Sequence, residues 1–381
     1  MSAPLRVEVL TAAAELPAAQ WNRLTGTAYP FLRHEFMQAL EASGAVSVLS
    51  GWEPGHLLLT REGAAVGLLP LYRKRHSQGE YVFDHDWAYS YQHYGERYYP
   101  KWLTAVPFTP CAGPRLALAT GEDPAAAWAT LLAWIQARAG ATGISSWHCL
   151  FPTRAEAECL QAAGLGLREG VQFQWFNRGY RDFDDFLDGF SAKRRKALRR
   201  ERRRVAERGI VLRRIAGTAV SEAQWRTFHE FYRMTYLKRG QDPYLNLEFF
   251  LELANGMPEQ LLLVVAERGG RTVGAALSLR GADTLYGRYW GCAEEYHSLH
   301  FEACYYQGLE YCIAEGLSRF DSGAQGEHKI SRGFEPVSTW SAHWIRDPRF
   351  AAAIGDFLLR EQHGIARYKA AAGQLLPFRK G

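Results

Sequence analysis

The sequence predicts a mixed α/β protein built from two tandem copies of one unit, and three observations lead there. First, 381 residues suit two domains of ordinary size, each large enough for its own core. Second, 47% hydrophobic and 22% charged residues are the balance of a folded chain rather than a disordered one. Third, the halves repeat each other. PFLRHEFMQAL (residues 30–40) aligns without gaps on PYLNLEFFLEL (243–253), with identities at Pro30/Pro243, Leu32/Leu245, Glu35/Glu248, Phe36/Phe249 and Leu40/Leu253. Average composition gives about one match by chance. Downstream, LLLTREGAAVGLLPL (57–71) sets against VVAERGGRTVGAALS (264–278), coinciding at Arg61/Arg268, Gly63/Gly270, Val66/Val273 and Gly67/Gly274. Two matches in one order at similar spacing point to duplication.

Each copy reads physically as the same series of elements. A helix opens on or just after a proline, whose fixed φ suits a first turn. A buried apolar strand follows, then a tight glycine-containing turn and a second strand. The first copy continues with the helix AAAWATLLAWIQARAG and the strand GISSWHCL, the second with HFEACYYQGLEYCIAEG and SRFDS. LREGVQFQWFN and EPVSTWSAHWI read as closing strands. The sum is a mixed sheet covered by helices. The first copy carries extra aromatic-rich material, residues 76–110, which reads as a long functional loop. Between the copies, FSAKRRKALRRERRRVAERG reads as a helix with Ser191 as N-cap and Gly209 as its stop. Near the C-terminus Phe350, Ile354, Phe357, Leu358, Ile365 and Tyr368 recur at helical spacing. The expected domains are therefore 1–180 with the aromatic insertion, a basic helical linker 181–210, and 211–381 with a terminal helix.

Composition narrows the function classes. No run approaches the roughly 20 apolar residues of a membrane span, so no integral membrane association is expected. The segment MSAPLRVEVLTAAAELP lacks a compact apolar core before a cleavage site, so no signal peptide is expected. Cys111, Cys149, Cys159, Cys292, Cys304 and Cys312 show no CxxC spacing and read as reduced thiols of a cytoplasmic protein. The formal net charge of +5 is concentrated: residues 193–208 hold ten Lys/Arg against two acids, leaving the rest of the chain about −3. Arg199, Arg202 and Arg203 are the expected contacts to a polyanion, tRNA or an anionic membrane surface, with a solvated linker helix as the plain alternative.

The block LHFEACYYQGLEYCIAEGLSRFDSGAQGEHKISRGFEPV resembles the FemAB-like, or Fem-type, branch of the N-acetyltransferase (GNAT) superfamily, the peptidoglycan biosynthesis/recognition proteins. VFDHDWA (82–88), YYPKW (98–102) and PFTPCAGPRL (107–116) are similar to the same family, and the resemblance runs from about residue 28 to the C-terminus. GAQGEHK with the following RGF is its most specific part. The resemblance implies two tandem acetyltransferase-like (GNAT/Fem-type) mixed-sheet domains and amide-bond formation on an amine acceptor, a peptidoglycan precursor or a small metabolite. It leaves two acyl donors open, aminoacyl-tRNA or acyl-CoA, with no cofactor held permanently. A donor-binding departure is visible: TLYGRYWG is followed by CAEEYHSLHFEA, without the glycine pair that lets backbone N–H groups cradle a pyrophosphate. Glu294 and Glu295 stand there instead.

Acyl transfer to an amine needs a proton acceptor, oxyanion stabilisation and placement of both substrates. In Fem-type proteins the comparable loop carries a lysine near a Gly-Phe pair, and here Lys329 precedes Gly333 and Phe334. Lys329 is therefore expected at the oxyanion or a donor phosphate, with Glu327 and His328 as acid–base candidates. Tyr286 and Arg288 alternate along TLYGRYWG and are expected on one strand face, Tyr286 catalytic and Arg288 substrate-binding. Arg332, Gln325, Tyr99 and Lys101 complete the expected substrate-binding set. Cys304 stands four residues after His300 and reads as a buried thiol or, alternatively, a nucleophile. Asp84, His85 and Asp86 are metal-type ligands, but nothing else has metal spacing and no metal is expected. A non-catalytic protein that binds peptidoglycan or nucleic acid is the reading from a different class.

Overall fold

The computed structural model describes residues 3–324 and 326–379. They divide into two compact units, each taken by itself below.

The first unit comprises residues 1–171 and 338–367. Its strands are β1 (Arg6–Leu10), β2 (Trp52–Pro54), β3 (His56–Arg61), β4 (Ala64–Leu69), β5 (Tyr72–Lys74), β6 (Lys101–Thr104), β7 (Ala117–Leu118) and β8 (Ser146–Leu150). The order β1-β3-β4-β7 makes one antiparallel sheet. The order β2-β5-β6-β8 ends on residues 341–345 of the chain's last strand, and within it β6 and β8 are parallel. Helices are α1 (Ala18–Thr25), α2 (His34–Ala42), α3 (His85–His93), α4 (Pro124–Ala141) and α5 (Arg154–Ala162). The parallel pair needs a crossover, and α4 supplies it. It starts where Asp123 accepts the Ala125 N–H at 3.0 Å, with Pro124 in the first turn. Trp128, Leu131, Ile135 and Ala139 recur at helical spacing and pack on Leu57, Leu59, Leu69 and Trp147. Each such large side chain contributes about 1.5–3 kcal/mol when fully buried.

The second unit comprises residues 172–337 and 368–381. Strand β9 (Gly166–Phe176) enters it at Gln172 and is followed by β10 (Ile210–Ala216), β11 (Leu261–Arg268), β12 (Arg271–Arg280), β13 (Thr284–Cys292) and β14 (Arg319–Asp321). The order is β10-β11-β12-β13-β14-β9, with β13 and β14 the parallel pair. Helices α6 (Phe183–Asp188), α7 (Ala192–Glu207), α8 (Glu222–Leu237) and α9 (Leu247–Gly256) precede the crossover. The crossover runs through α10 (Leu299–Phe301), a π-helical stretch Glu302–Tyr306 and α11 (Gln307–Ala314). Then come β15 (Glu335–Ile345) and α12 (Pro348–Gln374).

The repeat is present in the geometry, down to a shared irregularity. The β3/β4 hairpin shifts register between Leu59 and Thr60, and the β11/β12 hairpin between Ala266 and Glu267. These are the aligned positions of the two copies. Gly67 faces Leu59 just as Gly274 faces Ala266.

The expected boundaries 1–180, 181–210 and 211–381 differ from this division. The basic helix α7 lies inside the second unit rather than between two, and residues 338–367 return to the first. Residues 76–110 are not one long loop. Residues 101–104 form the core strand β6, and Trp87, Tyr91 and Tyr98 pack with Ile345, Phe350, Ile354 and Leu358. The aromatic richness that reads as a binding loop is a small core of its own. Ser191 has extended capping dihedrals but no side-chain cap bond. Gly209, at φ +70°, ends α7 as expected.

One glycine fixes how helix and sheet meet in the second unit. A Cβ on Gly291 of β13 would lie 2.1 Å from the Phe231 carbonyl of α8, so the helix backbone lies directly on the strand. Gly291→Ala is expected to destabilise the protein by about 1–3 kcal/mol or more through overpacking. Urea denaturation checks this: an unchanged midpoint would mean that the helix simply rides outward.

Candidate functional site

The parallel strands β13 and β14 pair only at Thr284/Arg319, Leu285/Phe320 and Tyr286/Asp321. Beyond these residues they part, and in an open α/β sheet the crevice outside the carboxyl ends of parallel strands is where ligands enter. A cavity of about 80 Å³ occupies the crevice, lined among others by Arg288, Trp290, His300, Cys304, Tyr305 and Ser322. A β-bulge re-aims its strand wall. Leu277 pairs with Tyr289 and Ser278 with Gly287, so Arg288 is the extra residue. The bulge breaks the simple alternation expected for Tyr286 and Arg288: Arg288 lines the cavity, while Tyr286 is buried in the paired part of the strand.

The crossover supplies the second wall. Its π-helical stretch adds a residue to the turn and carries Cys304 and Tyr305. Burial pushes the Cys304 thiol well above its ordinary range, so it is a neutral thiol rather than a nucleophilic thiolate. His300 is lowered to about 4 by burial and by the neighbouring His328, Arg332 and Lys329, and is a neutral imidazole at pH 7. The Ser322 hydroxyl, at the end of β14, is buried with no hydrogen-bond partner among the described residues.

Behind these walls lies the glycine-bounded turn Glu327–Arg332, which does not itself line the cavity but sets His328 against the rings of His300 and Tyr305. Lys329 is buried, and its Nζ donates to the carbonyls of Ser322 at 3.1 Å and Gly323 at 2.7 Å. It therefore ties the turn to the end of β14. His328 is exposed and shares a hydrogen bond with Tyr305 through Nε2 at 2.9 Å. Partial desolvation, then Arg332 and Lys329, lower its pKa, so it is a neutral base at pH 7. Gly326, at φ +108°, is required beside it, because a Cβ there would fall 2.5 Å from the ring. Glu327 is exposed and accepts from the Tyr368 hydroxyl at 2.8 Å.

Arg332 does not point outward for a substrate. It is 4% exposed, stacks 3.5 Å over the Phe301 ring, and donates to both Glu201 carboxylate oxygens at 2.9 and 2.8 Å. It also bonds the Tyr306 hydroxyl at 3.1 Å and the His328 carbonyl at 2.7 Å. Its charge is internally matched, and its role is to hold the turn against α7. Arg202 faces inward likewise, bonding Glu302 at 3.0 and 3.1 Å and Glu310 at 2.5 Å. Arg199 pairs with Asp184 at 2.8 Å and Arg203 lies 3.9 Å from Glu207, both on the exposed side. Sequence reasoning passed over Glu201 and Tyr305. An acid inside a basic run and a tyrosine inside an apolar helix carry no local signal of what they face.

The remaining expected residues lie elsewhere. Tyr99 and Lys101 belong to the first unit. Lys101 is fully buried and bonded to Ser77, Glu80 and Asp84, which makes it a structural ammonium rather than a substrate contact. Asp84 is committed to that interaction, while His85 and Asp86 are exposed. Gln325 lies outside the described residues. No helix among the described residues is long and apolar enough to cross a membrane.

Comparison with solved structures gives similar folds at low identity. FemX superposes with a TM-score of 0.53 at 12% identity, covering 92% of this chain and all of its own. The C-terminal domain of a protein assigned as a lysylphosphatidylglycerol synthetase from Agrobacterium fabrum gives 0.55 at 11%, covering 90% and 96%. L-PGS from Bacillus licheniformis gives 0.50 at 10%, covering 90% and 98%. No curated protein sequence matches the chain. The sequence profile of one family does match, over residues 12–380, so the chain belongs to the FemAB-like peptidoglycan biosynthesis/recognition family.

Proposed function

We propose that the protein is an aminoacyl- or acyltransferase that forms an amide on an amine acceptor, a peptidoglycan precursor or a small metabolite, and that its donor is aminoacyl-tRNA. Family membership supports the reaction class. The observation that carries the donor is the division of labour on α7. Its outer face offers Lys193, Lys196, Arg200, Arg203 and Arg204 to solvent, while Glu201 and Arg202 on its inner face grip the turn and the crossover of the crevice. A phosphate-rich donor on the outer face would sit one helix diameter, about 10–12 Å, from the groups that build the site. An acyl-CoA donor has less support. The crossover begins at Ser298 without a side-chain cap, and the exposed acids Glu294 and Glu295 precede it. Negative charge at a helix N-terminus opposes a pyrophosphate there.

Within this reading His328 accepts the proton of the attacking amine, and Tyr305 orients its ring. Arg288 and Ser322 face the acyl group from the cavity wall, and Lys329 positions the turn. The test is transfer of a radiolabelled amino acid from bulk aminoacyl-tRNA to an amine acceptor, with acetyl-CoA in a parallel arm. His328→Ala is expected to lower kcat by about 10²–10⁴. The wild-type rate should rise with pH through a value below 6.5 and then level, because the base works only when neutral and its pKa is lowered. Persistence of that acid limb in His328→Ala would remove His328 from the role. Acetyl transfer without tRNA would replace the donor.

A further inference from the structure

Within the first unit, helix α12 meets the sheet unevenly, and its small residues are the reason. At Leu358 it presses on β9, where a Cβ added to Gly166 would lie 3.0 Å from Leu358 Cδ1. One turn earlier stands Gly355, and a Cβ added there would meet nothing within 4 Å. The helix therefore stands off from the sheet at Gly355. A cavity of about 320 Å³ fills the gap, bounded by Leu167 of β9, Trp340 of β15 and Ala352 and Leu359 of α12. Small-ligand sites typically have volumes of about 300–1,000 Å³. A glycine inside a helix costs about 0.8–1.0 kcal/mol relative to alanine. Gly355 has no positive φ that would call for glycine, so what it yields is open space.

The charge on the cavity wall has one sign. Among the described residues its ionisable groups are the carboxyls of Glu169 and Asp356, and no Lys, Arg or His lines it. The cations nearby are engaged elsewhere. Arg168, beside Glu169 in the strand, holds Glu361 with two hydrogen bonds at 2.7 Å. Arg154, which feels the Glu169 charge, bonds Glu158 at 2.7 Å. Glu169 spends one carboxylate oxygen on the Ser338 hydroxyl at 2.5 Å. Asp356 is exposed and has no hydrogen bond or ion pair among the described residues, not even with Arg360 one turn further on. Trp340 is half-buried, and its indole has neither a ring contact nor a side-chain hydrogen bond among them. The cavity thus joins an open indole and two carboxylates to an apolar floor.

We propose that this cavity binds a small organic cation, its apolar body against Leu167, Leu358 and Leu359 and its charge served by the Trp340 ring and the two carboxylates. A cation over an indole face gains about 0.5–1 kcal/mol where exposed and about 2 kcal/mol or more where water is excluded. Glu169 and Asp356 add Coulomb attraction of the same sign. An organic anion of equal shape would meet two like charges and no cation. A neutral molecule would bury apolar area without using either carboxylate. The cavity belongs to the first unit and the crevice to the second, so binding here does not depend on the transferase reading.

The test is titration of the ¹⁵N-labelled full chain with benzyltrimethylammonium and, separately, with 2-phenylethylammonium at pH 7, followed on the tryptophan indole N–H signals. The Trp340 signal is identified by its loss in Trp340→Phe. Expected is a saturable shift of that signal with both cations, and affinity lower by about tenfold or more in the double variant Glu169→Gln, Asp356→Asn. Gly355→Leu puts a side chain into the cavity and should abolish the shift. Its urea midpoint should be unchanged or raised, because leucine is the better helix former. Benzyl alcohol, which lacks the charge, should bind far more weakly. No saturable shift with either cation overturns the proposal. So does equal binding of benzyl alcohol, which would make the cavity an apolar gap without charge preference. A shift that survives Gly355→Leu, or undiminished affinity in the double variant, overturns it too. If Gly355→Leu does not fold, Asp356→Asn alone, at an exposed position, is expected to weaken binding about threefold.

Discussion

Replacing Lys101 with methionine is expected to cost about 3–5 kcal/mol of folding stability at pH 7.5, because it leaves buried charge without its partner. Lys101 is the ammonium that both Glu80 and Asp84 share, and neither acid has more than 4% of its surface in water. The pH dependence separates charge from packing. In the wild type, burial alone would raise the Asp84 carboxyl, but Lys101 holds it well below the ordinary carboxylate range. Its contribution is therefore present above the unfolded value and disappears only as pH falls far into the acid range. Without Lys101 the sign reverses for Asp84, which burial then raises, and Glu80, already raised to about 7 by burial, loses the ammonium that restrains it. The protonated forms suit the interior, and stability is lost as pH rises through those raised values. The deficit of Lys101→Met should accordingly be larger at pH 7.5 than at pH 5, measured by urea denaturation of both proteins at both pH values. An equal deficit would mean that a lost side-chain stem, not uncompensated charge, is responsible.

That cluster also marks where sequence reading stopped. The tandem repeat was legible because it is written in local terms: a proline-led helix and a hairpin with glycines at matching positions, Gly63/Gly270 and Gly67/Gly274. The structure adds that even the register shift at Leu59 and Ala266 is shared. Lys329, His328 and Arg288 were legible as residues near one crevice. Their roles were not, because a role depends on the partner. Lys329 is spent on two carbonyls, Arg332 on Glu201 and Arg202 on two glutamates, all contacts that sequence separation hides. β6 was hidden because four residues after an aromatic stretch carry too little periodicity to separate strand from loop. The bulge at Arg288 was hidden because one extra residue in a strand leaves no compositional trace. The return of residues 338–367 to the first unit is a long-range event, and no linker composition announces it.

The second large effect concerns the basic helix, and the structure changes which residues should be tested. Leu198 and Val205 are buried and set the inner face of α7; Glu201 and Arg202 flank them. At 3.6 residues per turn, Lys196, Arg200 and Arg203 lie on the opposite side, and all are exposed. Arg202, by contrast, lends its charge to Glu302 and Glu310, and its substitution would loosen the crossover rather than bare a phosphate contact. The triple change Lys196→Ala, Arg200→Ala, Arg203→Ala is therefore expected to weaken tRNA binding by about 10–10³-fold at low salt without lowering stability. Each lost phosphate contact should also reduce the slope of log K against log salt by about 0.7–0.9, so the triple variant should flatten it by about 2–3. Filter binding of bulk tRNA across a salt series reads both quantities, and aminoacylated against uncharged tRNA separates donor recognition from simple polyanion attraction. A slope untouched by the triple change would put the nucleic acid, if any binds, on another surface. α7 would then be a strut whose function is entirely its inner face, holding the turn that carries His328 through Glu201 and Arg332.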